Sequence, residues 1–149
     1  MYLTVLAIHN IFRWIVLILG VITLLRAYLG WLGGRIWTST DRTVSMLFAS
    51  SLDIQLLLGL ILYFFLSPIT REFINDIGAA MADVQTRFFG LEHVLYMLAA
   101  VVLVHVGSAR ARRAETDVVK FRFAAIFFSL AFIVILIAIP WWRPLIRGF

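Results

Sequence analysis

The chain has 149 residues, 63% of them hydrophobic and only 14% charged, and its mean hydropathy is +1.01. A soluble domain is about half apolar and a quarter charged, so the composition excludes a separate soluble domain and points to a protein filled by membrane spans. With no cysteine, disulfides, thiolate catalysis and thiolate metal sites are excluded together.

Apolar runs cover residues 3–28, 44–66, 88–106 and 123–142. Each is close to the ~20 residues a helix needs to cross ~30 Å of hydrocarbon, and no alternating ten-residue pattern suggests a barrel. With the third run extended to its flanking residues, the predicted spans are 3–28, 44–66, 86–109 and 123–142. The first run lacks a basic leader and a small-residue cleavage site, so it is read as a span and not a removable signal. Short connections make successive spans antiparallel, which predicts a single all-α membrane domain, an up-down four-helix bundle.

The connection after the first span carries Arg26, Arg35 and Arg42, and the one after the third carries Arg110, Arg112, Arg113, Lys120 and Arg122. The middle connection, "SPITREFINDIGAAMADVQTR", balances its basic residues against Glu72, Asp76 and Asp83. The positive-inside rule puts the two basic loops in the cytoplasm and both termini outside. That asymmetry accounts for the net charge of +5, and no basic soluble face suggests a nucleic-acid partner.

Two stretches rhyme: "IHNIFRWIVLILGVITLLRAYLG" and "EHVLYMLAAVVLVHVGSARARRA" each place an Arg seventeen positions after a His. "SPITREF" after the second span is echoed by "RPLIRGF" after the fourth, and "SLDI" by "SLAF". The pattern reads as two related helical hairpins about an axis along the membrane normal. It puts His9 and His93 at one depth on parallel spans that face each other diagonally. Paired imidazoles across a bundle core are the arrangement of a bis-histidine haem site, so both are candidate metal ligands.

Arg13 follows His9 by one turn on the same face. Near mid-membrane it needs an anion, and Asp53 and Glu92 are the acids at reachable depth; a haem propionate or quinone carbonyl is the other option. Arg87, near the outer surface, is a candidate propionate clamp or an interfacial anchor. Glu92 points roughly 100° away from His93 and is expected to accept from His9 or Arg13. Gly90, three residues before His93, is expected on its face, leaving space for a macrocycle or a neighbouring helix. His105, twelve residues after His93, falls near the cytoplasmic end as an interfacial histidine, with Met46 as a conceivable second ligand.

"HNIFRW", "SLDIQLLLGLILYFFLSPI", "RFFGLEHVLYM" and "PWWRPLIRGF" together resemble a family of small four-span bacterial membrane proteins labelled cytochrome b-like. The resemblance covers essentially the whole chain. It implies one b-type haem held by His9 and His93, and electron transfer in the bacterial cytoplasmic membrane. The partners it implies are a quinol and a larger respiratory complex. Three histidines cannot supply the two bis-histidine haems of larger cytochromes b. Two further readings stand beside it: a cofactor-free structural subunit, alone or as a homo-oligomer, held by an Arg13–Asp53–Glu92–His93 network, and a proton-coupled transporter using the same ionisable chain.

Overall fold

The computed structural model describes residues 1–143. Six helices account for nearly all of them, and no strand occurs among the described residues. Helix α1 is Tyr2–Gly33, α2 Ser39–Leu66, α3 Pro68–Asn75, α4 Ile77–Ala82, α5 Val84–Arg113 and α6 Asp117–Ala138. Helices α1, α2, α5 and α6 are each long and apolar enough to cross a membrane. The chain is a multi-pass membrane protein built as a four-helix bundle.

Polar caps and breakers set the helix ends and carry them past the apolar runs. Helix α1 continues through "LGWLG" until Gly34, whose φ of 62° reverses the chain while its N–H bonds the Gly30 carbonyl. Helix α2 opens in polar sequence because Thr38 and Asp41 form a reciprocal capping box. Helix α6 stops at Ala138, short of the expected 142: Pro140 disfavours helical geometry in the residue before it, and Ile139 is extended. Within the middle connection, Ser67 and Asp76 cap two short helices.

Around the bundle the order is α1, α2, α5, α6, with α5 against α6 the tightest pair and α1 diagonal to α5. Ala124, Ala125, Ala131 and Ala138 are buried on α6, and small residues let backbones approach where lipid supplies no hydrophobic drive. Phe48 and Phe128 meet edge to face at 5.7 Å in mid-bundle. Buried hydroxyls bond their own helices: Thr23 donates to the Leu19 carbonyl and Ser51 to that of Phe48.

Two of the long helices change pitch at the amino-terminal end of the bundle. Residues Leu62–Leu66 of α2 and Phe88–Glu92 of α5 are wound as π-helical turns, which hold an extra residue per turn and leave ladder groups poorly paired. Side-chain hydroxyls take up the carbonyls: Tyr63 donates to Gly90 O at 2.8 Å, and Thr70 of α3 donates to Tyr63 O at 2.7 Å. The short helix α3 is thereby tied across the mouth of the bundle.

Candidate functional site

Below that mouth lies a cavity of about 120 Å³, lined from α1 by His9 and Arg13, from α2 by Gln55, Gly59 and Tyr63, and from α5 by Phe89 and His93. Arg143, just past α6, completes the wall. The volume is roughly ten times the 10–15 Å³ needed for one water, so it suits an extended group. No carboxylate lines it among the described residues.

The two imidazoles face each other across this space. Their ring centroids are 6.4 Å apart and their planes 67° apart. One metal ion bound by both rings, at about 2 Å per metal–nitrogen bond, separates the centroids by roughly 6–6.5 Å. The pair therefore fits a single bis-histidine centre. Because α1 is diagonal to α5, neither backbone fills the gap between the rings.

Each ring is positioned by something specific. The Nδ1–H of His93 donates to the Ala138 carbonyl at 2.8 Å; a carbonyl has no proton to give, so Nε2 carries the lone pair. That carbonyl is available because α6 ends there, before Pro140. Phe88 and Phe89 pack against the same ring at 5.8 and 6.0 Å. His9 lies against Gly59, where an added Cβ would come within 3.4 Å of its Cε1, and Gln55 donates to the His9 backbone carbonyl at 3.0 Å. The His9 Nδ1 is buried with no hydrogen-bond partner among the described residues, a group that a bound ligand or water would satisfy. Arg13 is 8% exposed one turn below, and the Arg143 guanidinium sits 4.3 Å over the Phe89 ring. Both side chains line the cavity beside the two imidazoles.

Of the residues singled out in the sequence, His9, Arg13 and His93 come together, and Arg87 and Gly90 do not join them. The π turn is the reason. It brings positions five apart onto one face, so Arg87 reaches Glu92 with Nε 2.7 Å from Oε1 and points away from the cavity. The same extra residue turns Gly90 off the His93 face, and the Phe73 ring covers its Cα so closely that no Cβ fits. Glu92 is thus bonded to Arg87, and not to His9 or Arg13 as expected.

Asp53 is likewise not Arg13's partner. Phe48, Ser51, Leu52 and Gln55 set the buried face of α2, and Asp53 falls outside that phase, bonded to His105 at 2.8 Å. The expected four-residue network is two separate pairs, neither including Arg13. His105 is accordingly a hydrogen-bond partner of Asp53, and Met46 is exposed without contributing to a site.

Sequence reasoning missed Gln55, Gly59, Tyr63, Thr70 and Arg143. Gln55 was detectable as an amide in apolar sequence, and Arg143 as a cation placed by the Pro140 break. The "RPLIRGF" echo runs into residues 144–149, outside the described residues. No protein-family model, no curated protein and no solved structure matches the chain.

Proposed function

We propose that this chain is a membrane-embedded b-type haem protein for electron transfer, with His9 and His93 as the axial ligands of one haem b. The observation that carries the reading is the 6.4 Å ring separation of two histidines from diagonal helices beside a cationic cavity. The resemblance read in the sequence points the same way. When bound, the haem would supply one-electron redox chemistry.

The chain's own residues prepare the place. The Ala138 carbonyl fixes the His93 tautomer and raises the basicity of its free nitrogen. Arg13 and Arg143 line the cavity beside the two rings. Phe88 and Phe89 keep water from the His93 side. A lipid-soluble quinol is the electron partner that suits a bundle embedded in a membrane. We place the protein in a bacterial cytoplasmic membrane, as a subunit or companion of a respiratory complex, with both termini extracytoplasmic on the strength of its basic loops.

The test is an absorption spectrum of purified, dithionite-reduced protein. A sharp low-spin alpha band, abolished by His9→Ala and by His93→Ala but kept in His105→Ala, is expected. A colourless wild-type protein overturns the proposal, as does a band lost only in His105→Ala.

A further inference from the structure

The Asp53–His105 pair lies on the outside of the bundle. Asp53 sits midway between the ends of α2 at Ser39 and Leu66, and the side chains of Asp53 and His105 are 46% and 52% exposed. At that depth the solvent is hydrocarbon, where ionisable groups are costly and belong against protein or a water-filled cavity. The surrounding surface is apolar, with Met46, Ile54 and Val102 exposed, apart from Ser50, one turn before Asp53 and exposed on the same face.

The hydrogen-bonding capacity left over says what covers it. His105 Nε2 and Asp53 Oδ1 are used on each other. Among the described residues no further bond reaches His105 Nδ1 or Asp53 Oδ2. With two protons shared by the pair, His105 Nδ1–H is left as a donor and Asp53 Oδ2 as an acceptor, and the same two groups on a second copy complement them when related by a two-fold axis. Nδ1–H of each copy then meets Oδ2 of the other, closing a ring of two histidines and two carboxylates. The pair lies outside both the His9–His93 cavity and the small cavity beside Asp41. An open helix face suits a broad helical partner better than a small molecule.

We infer that the α2–α5 face is a homodimer interface within the membrane, with Asp53 and His105 of two copies at its centre. Interhelical bonds of this kind hold membrane helices together, and an isologous contact closes without propagating. The inference stands independently of haem binding.

The absence of native cysteine makes the test clean. Ser50→Cys, beside the pair, should cross-link between copies in oxidised membranes at least tenfold more than Ile126→Cys, an exposed position at similar depth on α6. Adding Asp53→Leu and His105→Leu should bring the Ser50→Cys yield down to the Ile126→Cys level. If that variant lacks helical content or is aggregated, Asp53→Asn with His105→Gln takes its place and should lower the yield at least threefold. Equal cross-linking at Ser50 and Ile126 overturns the interface, whether the cause is a monomer or a small lipid-soluble occupant. Undiminished cross-linking after the pair is replaced overturns its role.

Discussion

Gly90→Ala tests whether this glycine serves packing or cofactor space. The new methyl would overlap the Phe73 ring at Cγ and Cδ2 and stand 2.7 Å from its Cβ, well inside the ~3.5–4 Å of an ordinary carbon contact. Phe73 cannot simply swing away, because α3 is held by the Ser67 cap and by the Thr70 bond to the Tyr63 carbonyl. Overpacking of this kind costs about 1–3 kcal/mol, and the better helix propensity of Ala returns at most about 1 kcal/mol. A net loss of roughly 1–2 kcal/mol is expected from these two opposing contributions. It is measurable by dodecyl sulfate unfolding in mixed micelles, followed by tryptophan fluorescence. Phe73→Ala removes two of the three clashing atoms but keeps the Cβ at 2.7 Å, so Gly90→Ala should cost less in that background without becoming harmless, a coupling that recovers part of the single-variant loss. Strict additivity would refute the packing argument. So would a Gly90→Ala protein of unchanged stability that has lost a bound chromophore.

Arg26 binds the buried Asp41 at 2.7 Å, so Arg26→Leu should destabilise, but by less than the ~3–5 kcal/mol of a carboxylate left wholly unpaired, because Thr38 still donates two hydrogen bonds to it. Asp41→Leu should hurt more than Arg26→Leu in the same unfolding assay, because it also removes the acceptor of the Thr38 N–H in the capping box. Asp83 caps α5 by accepting from the Thr86 backbone N–H at 2.7 Å, which holds its carboxyl below the usual range. Its contribution is therefore full above the unfolded value of about 3.9 and lost as pH falls through the lower folded value. Asp83→Asn should flatten the acid side of the stability–pH profile below about pH 4. In intact cells an impermeant thiol reagent should label Gly78→Cys but not Glu115→Cys, and the reverse pattern would invert the proposed topology.

The bundle was legible because each span is a long apolar run between basic or capped turns, and antiparallel packing follows from short connections. The depth match of His9 and His93 survived because it depends only on counting from span ends. What failed depended on helical phase. The relation of Arg87, Gly90 and Glu92 to His93 was reckoned at 3.6 residues per turn, and a π turn sits among them. Asp53 was legible in principle, since Phe48, Ser51, Leu52 and Gln55 form an inward stripe that excludes it. Depth was used there and phase was not. Phe73 covering Gly90 and Ala138 facing His93 come from tertiary packing, which no local pattern encodes.

The pitch change in α5 has a mechanical meaning. Beyond His93 the helix is keyed to α6 by close packing, while before it the helix is keyed to the mouth through Tyr63 and Phe73. A uniform helix could satisfy only one of these orientations. Rewinding 88–92 as a plain α-turn, with no residue removed, would leave His93 registered with Ala138 but rotate everything upstream by about 100°. Phe89 would leave the Arg143 guanidinium, and Arg87 would lose Glu92. One surplus residue acts as a gear between two rotational settings, letting the half that carries His93 and the half tied to the mouth be tuned separately on one continuous helix.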